Sequence, residues 1–320
     1  MPFLRWLLSR DFLGSFFRLT LWLVGVIRQH TVLSAVGPSL GYSQTPKLLK
    51  SLTPEDRSNK ILFILGSGES VNQMSASQFG LIDRHTSIGI NVWVAHPFVP
   101  TAYSFEGGGF PVSSDETHHR QFLADALAKK SQFPKFRGVI QLVPRPPHQR
   151  SQIVQLDQKS IEQSDLLARV NLLKSRSVRG LRADVRAVLR ALRWRLVPLR
   201  ILPDSGATVV RLIFLGFRLG FRRVVLVGVD LNNSAYFWQN EEETPEFDAL
   251  RKLFPRVAGV PHDTLSTANR PHSARDVIIQ LGYAMKKDYG VDLFVGSPSS
   301  SLSEKLPVFD WGAAQDGGAS

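Results

Sequence analysis

The most constraining feature of this chain is the segment "ILFILGSGES" at residues 61–70. Ile61 to Leu65 form an apolar run with the length of a buried strand, and the lack of polar alternation is typical of a parallel sheet covered on both faces. Gly66 and Gly68 permit a tight turn and close approach to the main chain, and Ser70 is suited to cap a following helix. A strand, a glycine turn and a helix N-terminus form an anion site, although such turns also close ordinary βα units.

Apolar runs and helical periodicity alternate along the rest of the chain, which predicts a mainly parallel α/β sheet. Besides the first strand, we predict strands at Thr86 to Val94, Val139 to Val143, Val224 to Val229 and Asp292 to Val295. Helices are predicted at Gln121 to Lys130, Ala207 to Leu219 and Ser273 to Asp288. The tail at 312–320, "GAAQDGGAS", has the composition of disorder.

The composition limits the classes of protein to which the chain can belong. Its 320 residues are 43% hydrophobic, enough for one elaborated domain or for one domain with a lid. It has no cysteine, which excludes disulfides and thiolate metal sites. The formal net charge of +12 favours an anionic partner, and a membrane surface, nucleic acid or a sugar nucleotide each fits that description.

The N-terminal segment at 1–50 is apolar and basic, and we predict that it is helical. Residues 11–27 are interrupted by Arg18 and fall slightly short of the ~20 clean residues that a spanning helix needs. One interpretation is a helix that lies in the membrane interface, with Trp6 and Trp22 as anchors. The other is a helix packed on the domain.

A second basic feature is an amphipathic helix whose apolar and basic residues lie on opposite faces. Anionic lipid would attract such a face, whereas a solvated face on a core-packed helix explains it equally well. Nucleic acid is a poorer partner, because Trp194 is the single aromatic residue near the stripe. The basic residues are Arg179, Arg182, Arg186, Arg190 and Arg193.

Polar residues follow several predicted strands, and in a parallel sheet such residues meet beyond the carboxyl ends. We expect one crevice that collects the glycine turn with Ser67, then Asn91, and the residues that follow "VVLVGV". Ser205 and Gly206 begin the Ala207 helix and offer further backbone N–H groups to a carboxylate or phosphate. The residues expected after "VVLVGV" are Asp230, Asn232, Asn233 and Tyr236.

Four motifs in order resemble the bacterial sialyltransferases that use CMP-sialic acid in lipooligosaccharide synthesis. The motifs are "ILGSGES", "GIN", "DSGATVVRLIFLGFRLGFRRVVLVGVDLNNSAY" and "PHSARDVIIQLGYAMKKDYGVDLFVGSPSSSL". The resemblance covers most of residues 59–303, and the N-terminal segment and much of 110–198 have no match. It implies a Rossmann-like nucleotide-sugar-binding catalytic domain at 51–311, with a lid at about 233–270.

The resemblance also implies roles for individual residues. Gly66, Ser67 and Gly68 would hold the nucleotide, and Asn91 would bind the CMP portion. The remaining roles are a donor-sugar contact for Ser205 and Gly206, stabilisation of the departing phosphate by Tyr236, and general base catalysis by His272, with His262 as the substitute base. No cofactor or metal is implied, and the chain has no Asp-x-Asp triplet suited to a divalent cation.

The implied reaction is an inverting transfer of sialic acid, or a related acidic sugar, from a CMP-linked donor to a glycan or lipid-linked acceptor. The enzyme is expected at the cytoplasmic face of the membrane, with an anionic membrane surface as a partner. In the lid, Tyr236, Phe237 and Trp238 are candidates for acceptor binding or for packing. Two alternatives stay open: a pterin diphosphokinase-like enzyme that uses ATP and Mg²⁺, and a non-catalytic membrane-associated protein with a nucleotide-binding fold.

The chain departs from the family pattern at several positions. Ser67 and Glu69 replace Asn and Pro of the glycine loop, and an acid beside a phosphate is unfavourable unless it points outward. Asn232 stands where the first phosphate-binding tyrosine is expected, and Leu202 replaces an arginine before the Ser-Gly pair. The region around Glu106 has no match to the second CMP-binding asparagine. These departures concern the identity of the donor more than the fold.

Overall fold

A computed structural model of the chain describes residues 10–39, 46–53, 61–106, 125–142, 165–171, 175–232, 235–239, 245–253, 267 and 271–316. Eight strands lie within these residues and form one sheet. They are β1 (Ile61–Leu65), β2 (Thr86–Ile90), β3 (Ala102–Glu106), β4 (Gly138–Leu142), β5 (Asp165–Asn171), β6 (Ile201–Asp204), β7 (Arg223–Val227) and β8 (Asp292–Val295).

The helices that flank the sheet are α1 (Arg10–Ser39), α2 (Lys47–Ser51), α3 (Ala76–Asp83), α4 (Val178–Arg193), α5 (Thr208–Leu219), α6 (Pro245–Leu253), α7 (Ala274–Tyr289) and α8 (Trp311–Asp316). Short 3-10 helices occupy Glu69–Gln73, Asn91–Ala95 and Phe237–Gln239. Residues 125–130 are also helical.

Every pair of neighbouring strands in the sheet is parallel, and the strand order is β6-β5-β4-β3-β2-β1-β7-β8. From β1 the chain builds outward to the edge strand β6, then returns to the other side of β1 for β7 and β8. The order therefore reverses between β1 and β7, and ligands of open α/β sheets bind at such a reversal, beyond the carboxyl ends of the strands. The fold is α/β and Rossmann-like, as the sequence predicts.

Two apolar layers cover the sheet, which explains why β1 is buried at all five positions. On one face, Leu62 and Ile64 share a cluster with buried residues of α1, α4, α5 and α7. On the other face, Ile61, Phe63 and Leu65 pack with the 3-10 helices and with α3 and α6. Consecutive β1 side chains thus enter opposite layers, as the pleat of a strand requires.

The observed strands differ from the predicted ones at several points. The strand predicted at Thr86 to Val94 stops at Ile90, because Asn91 adopts a left-handed backbone with φ of 49° and a 3-10 helix follows. The strands β3, β5 and β6 were not predicted, and each is short or interrupted by polar residues in the sequence. Segments β1 and Asp292–Val295 match their predictions, and β4 and β7 each begin one residue earlier than predicted.

The N-terminal helix α1 packs on the domain over its central part. Trp22 and Val26 are buried against the sheet, so Trp22 is not the exposed membrane anchor that the sequence suggested. A Cβ at Gly25 would contact Val170 of β5, which shows how closely helix and strand approach. None of the described helices combines the length and apolar character needed to cross a membrane. Trp6 lies outside the described residues.

The start of the predicted disordered tail is ordered. Helix α8 covers Trp311–Asp316, and the Trp311 ring stacks on Phe63 at 5.8 Å between centroids. The Trp311 indole Nε1 also donates to the carbonyl oxygen of Gly296 at 2.9 Å. Composition alone missed this helix, because a single aromatic anchor holds it to the sheet. Residues 317–320 lie outside the described part of the chain.

Candidate functional site

The glycine turn after β1 is joined to the loop after β7 by backbone hydrogen bonds. Gly66 N donates to Val227 O and Gly68 N donates to Gly228 O, both at 2.7 Å. A Cβ at Gly66 would lie 2.6 Å from the Gly228 carbonyl oxygen, and Gly228 itself has φ of 62°. We name these two chain segments, residues 66–70 and 228–230, the glycine corner. They approach each other so closely that glycine is required at positions 66 and 228.

Ser70 and Asp230 are bonded to each other inside this corner. The buried Asp230 carboxylate accepts from Ser70 N at 3.1 Å and from Ser70 Oγ at 2.5 Å. The expectation that Ser70 caps a helix is wrong, because the 3-10 helix begins at Glu69 with Gly68 as its N-cap and without a side-chain cap. Ser70 instead joins the loop after β1 to the loop after β7, through the Asp230 carboxylate.

The backbone donors of the glycine corner are engaged within the chain. Besides Gly66 and Gly68, Glu69 N donates to Ala235 O at 3.1 Å. These N–H groups build the corner, whereas the sequence suggested that they would face an anion. The Glu69 side chain is exposed, so its charge meets the condition that it point outward. Ser67 is partly exposed at the tip of the turn and is the member of the glycine loop with a side chain open to a ligand.

Residues 235–239, which we name the second wall, pack against the glycine corner. Tyr236 forms an antiparallel bridge with Gly68, and its ring stacks on Trp238 at 4.3 Å with 12° between the planes. Phe237 N donates to Ser67 O at 3.1 Å. Phe237 and Trp238 are buried, which favours packing over acceptor contact among the two roles that the sequence left open. Tyr236 is partly exposed beside the turn.

Unpaired polar atoms lie beside the glycine corner, directly after β2 and in the middle of β3. Asn91 directly follows β2, and within the described residues its buried Oδ1 has no hydrogen-bond partner. Ser104 pairs with Ile90 across β2 and β3, and its buried Oγ likewise lacks a partner there. A buried polar atom without a partner is costly unless something else satisfies it, which marks this position as one where a ligand group or a water binds. Ser104 was missed, because "AYSFE" was not recognised as a strand.

The Ser205 and Gly206 turn follows the edge strand β6, five positions from β1 in the sheet. The helix α5 begins at Thr208, one residue later than predicted, and the Gly206 N–H donates to Asp204 Oδ1 at 2.8 Å. Arg211 is fully buried and pairs with the same carboxylate. Burial opposes ionisation of Asp204, but Arg211, the Gly206 N–H and Arg169 outweigh it, so the pKa of this carboxyl is lowered. The turn is therefore stabilised internally and lies at the outer strand.

His272 lies between the segments that follow β5 and precede α7. It is 8% exposed, and its Nε2 lies 2.8 Å from the carbonyl oxygen of Ser175. A carbonyl oxygen only accepts, so Nε2 carries the proton and the neutral ring presents Nδ1 as its basic nitrogen. The N-cap of α7 is Ser273, with Asp276 completing a capping box, so His272 does not cap the helix. His262, the substitute candidate, lies outside the described residues.

Hydrogen bonds link the start of α7 to the glycine corner. Arg275 Nη2 donates to Ser301 O at 3.2 Å, and Ser301 N donates to Asp230 O at 2.9 Å. Asn232 Nδ2 also donates to Ser299 O at 3.2 Å. His272 lies three residues before Arg275, so the first turn of α7 belongs to the same carboxyl edge as the glycine corner. The run "GSPSSSL" at the end of β8 was the sequence signal for this connection, and no role had been predicted for it.

A further histidine, which sequence reasoning missed, lies in the layer under Tyr236. The His96 ring stacks on Trp93 at 4.4 Å and meets the edge of Phe237 at 5.1 Å. Its Nδ1 accepts from Phe98 N at 3.1 Å, which places the proton of the neutral ring on Nε2. Burial, and then the charge of Lys130, lower the pKa of His96 to about 4. His96 is therefore neutral near pH 7 and belongs to the aromatic support of the second wall.

The fold and this edge define an α/β protein with a Rossmann-like parallel sheet and with polar loops that are bonded to one another at its strand reversal. The MAf glycosyltransferase from Magnetospirillum magneticum AMB-1 has a solved structure similar to the chain, with 16% sequence identity and a TM-score of 0.37. The similarity covers 83% of this chain and 36% of that chain, so this chain spans little more than a third of that protein. No family model and no curated protein matches the chain.

Proposed function

We propose that the chain is a glycosyltransferase that transfers sialic acid, or a related acidic sugar, from a CMP-linked donor with inversion and without a metal. One observation carries the proposal. The loops after β1, β7 and β8 are bonded to one another at the strand reversal, and the first turn of α7, which follows His272, is bonded to the same loops. Nucleotide ligands of α/β sheets bind at such a reversal.

His272 is the proposed general base of this reaction. Its Nε2–H bond to the Ser175 carbonyl fixes the ring, and Nδ1 is the atom that takes the proton of the attacking acceptor hydroxyl. An unprotonated imidazole nitrogen is suited to accept a proton in general base catalysis. The hydroxyl oxygen forms a bond to the anomeric carbon from one side as the bond to the phosphate oxygen breaks on the other, which inverts the configuration.

The leaving group is CMP, and its single phosphate is the group on which negative charge develops. Tyr236 lies beside Gly68 and is proposed to donate its hydroxyl proton in a hydrogen bond to that phosphate. Ser67, at the exposed tip of the turn, is proposed to contact the same phosphate or the ribose. Asn91, with Ser104 beside it, is proposed to bind the cytidine portion, because the buried Oδ1 of Asn91 needs a donor.

Other residues of the predicted site are hydrogen-bonded within the chain, so their polar groups are less available to a ligand. Asp230 and Ser70 hold the corner together, Asn232 is bonded to the β8 loop, and Gly206 is bonded to Asp204. We propose that Asp230, Ser70 and Asn232 act by positioning Ser67 and Tyr236. Ser205 and Gly206 follow β6, five strands from β1, so we do not assign them a contact with the donor sugar.

The acceptor is proposed to be a glycan or lipid-linked glycan at the cytoplasmic face of a membrane. The outer face of α1 supports this location, because Leu21, Val24 and Ile27 are each more than half exposed at a spacing of three residues. A row of exposed apolar side chains on a helix is suited to lie in a membrane interface.

Ligand-induced thermal shifts with CMP, CDP, UDP, GDP and ATP, each with and without EDTA, test the nucleotide. We expect CMP to raise the melting temperature irrespective of chelator, because a ligand that binds only the folded state stabilises it. Stabilisation by ATP that requires Mg²⁺ would instead support diphosphoryl transfer and reject the proposed donor.

Substitution of His272 tests the chemistry separately from binding. We expect His272→Ala to lower turnover by about a hundredfold or more while the dissociation constant for CMP stays nearly unchanged. Tyr283→Ala, at an exposed residue in the middle of α7, is the control and should retain full activity. Unchanged turnover in His272→Ala would remove this residue from the mechanism, and a melting temperature measured alongside separates loss of chemistry from loss of fold.

A further inference from the structure

The described part of the chain has a cavity of about 460 Å³ at the amino edge of the sheet, opposite the glycine corner. It lies where α4, α5 and α7 end and where β7 and β8 begin. Its walls combine apolar side chains with the arginines Arg193 and Arg222, and with Asp288, whose carboxylate is paired with Arg186; the apolar walls are Phe217, Phe221, Val291 and the Tyr289 ring. This combination is suited to a ligand that has an anionic group and an adjoining apolar portion.

Two large apolar side chains stand exposed beside this cavity. Trp194 is 64% exposed and Leu196 is 53% exposed. Between them, Arg195 adopts a left-handed backbone with φ of 59° just after α4 ends, and Leu196 N donates back to Ala191 O at 3.0 Å. Left-handed backbone in a residue other than glycine is unfavourable, so the surrounding contacts must impose this conformation.

The exposed arginines around Trp194 give this edge its charge. Arg190 lies over the Trp194 ring at 5.8 Å from its centroid, and Arg193, Arg195 and Arg222 are also exposed. The nearby carboxylates are already paired, since Asp288 bonds Arg186 at 2.9 Å and Asp292 bonds Lys286 at 2.6 Å. The surface therefore carries a clear positive excess despite the helix C-termini that point toward it.

The basic stripe of α4 is thus divided into two parts. Arg182 donates to Gln280 Oε1 at 3.0 Å and Arg186 bonds Asp288, so the middle of the stripe is bonded to α7. Arg190 and Arg193 lie beyond these contacts and face outward with Trp194. The amphipathic pattern in the sequence does not reveal this division.

We propose that this amino-edge surface, consisting of Arg190, Arg193, Trp194, Arg195, Leu196 and Arg222, binds the anionic headgroups of a lipid bilayer. Trp194 and Leu196 enter the interfacial region, as aromatic and apolar side chains do at membrane surfaces. The arginines bind lipid phosphates, with one headgroup reaching the cavity above Phe217 and Phe221. The proposal does not depend on the activity proposed above, because it concerns the opposite edge of the sheet.

Co-sedimentation of the full chain with vesicles tests the proposal. We expect binding to vesicles that contain phosphatidylglycerol and little binding to vesicles of phosphatidylcholine alone. The double substitution Arg190→Gln and Arg193→Gln should weaken the binding by about tenfold or more, because each basic residue near an anionic surface contributes ~1 kcal/mol.

The matched control removes the same charge from the other end of the same segment. Arg176 and Arg179 are exposed, and the double substitution Arg176→Gln and Arg179→Gln should weaken vesicle binding much less. An equal loss in both double variants would overturn the proposal, since net charge alone would then explain the binding. Binding that is unchanged in the Arg190 and Arg193 variant would also overturn it.

Tryptophan fluorescence gives a second readout that does not depend on charge. We expect phosphatidylglycerol vesicles to shift the emission to shorter wavelength in the parent chain, and Trp194→Phe to remove most of that shift. A shift that persists in Trp194→Phe would mean that another tryptophan enters the membrane, and would overturn the assignment of this surface.

Discussion

The two edges of the sheet use their polar groups in opposite ways. At the carboxyl edge, the backbone N–H groups of Gly66, Gly68 and Glu69 and the carboxylate of Asp230 are bonded to neighbouring chain segments. At the amino edge, exposed arginines surround a cavity and an exposed tryptophan. The loops of the first edge are bonded mostly to one another, whereas the second edge presents exposed positive charge.

This difference shows what a glycine-rich turn after a strand does in this fold. Such a turn can bind an anion with its N–H groups, or it can let two loops approach each other. Here the second use dominates, so a ligand at this edge is recognised by side chains at the tip, such as Ser67 and Tyr236, and by Asn91. Three predictions test or sharpen the contrast between the edges, beginning with the largest effect.

Substitution of Gly228 should be strongly destabilising. Its φ is 62°, and an added Cβ would collide with the backbone carbonyl oxygen of Gly66 and with the Val71 side chain. We expect Gly228→Ala to lower the free energy of unfolding by about 3 kcal/mol or more, since strain and overpacking act together. Urea unfolding measures this change.

A glycine outside the corner is the control for this prediction. Gly80 lies inside α3, and no atom lies within 4 Å of the position that its Cβ would occupy. Gly80→Ala should therefore raise stability by roughly 0.5–1 kcal/mol through helix propensity. If Gly228→Ala changed the free energy of unfolding as little as Gly80→Ala does, the close contact between the loops after β1 and β7 would not contribute to stability.

The free energy of unfolding should depend on pH through His96, which packs with the aromatic side chains under Tyr236. The pKa of His96 is lowered from 6.5 to about 4 by burial and by Lys130. The unfolded chain therefore takes up a proton below pH 6.5, whereas the folded chain does so only near pH 4. Stability is fully present above pH 6.5 and is lost as pH falls toward 4, by up to about 3 kcal/mol for this group.

His96→Phe isolates this contribution, because other groups also titrate in the same range. The variant keeps a ring for stacking on Trp93 but has no titratable nitrogen. We expect its unfolding free energy, measured by urea at pH 7 and at pH 4.5, to change less between the two pH values than that of the parent chain. Identical pH dependence in both proteins would mean that His96 takes up its proton equally well in the folded state.

Much of the sheet could be predicted because its central strands are continuous apolar runs. Both β1 and β7 are buried at nearly every position, and this pattern is visible in the sequence without any partner. The missed strands β5 and β6 contain Arg169 and Asp204, and Arg169 comes within 4.0 Å of the Asp204 carboxylate only once the two strands lie side by side. Their strand structure thus depends on contacts far apart in sequence, which local patterns do not reveal.

The sequence predicted the segments of the candidate site but not the hydrogen bonds that connect them. The turn at Gly66, the loop at Asp230 and the helix after His272 were each expected at the carboxyl edge, and the hydrogen bonds now join them. The strand order decides which loops lie side by side. It therefore brings Asp230 to Ser70, and it places Ser205 after an edge strand. The order could not be predicted, because it is set by how three unpredicted strands insert between β2 and the edge of the sheet.

The smallest expected effect concerns two arginines of α4, four residues apart, that differ only in their partners. Arg186 bonds Asp288, with side chains that are 35% and 32% exposed, so the pair is worth only about 0.5 kcal/mol. We expect Arg186→Gln to lower the unfolding free energy by about this amount, whereas Arg190→Gln leaves stability nearly unchanged and weakens binding to phosphatidylglycerol vesicles more. Each substitution removes one charge from the same helix, so a general electrostatic attraction would weaken vesicle binding equally in both. Equal losses would therefore show that the whole stripe faces the membrane, and the contrast between the bonded middle of α4 and its exposed end would disappear.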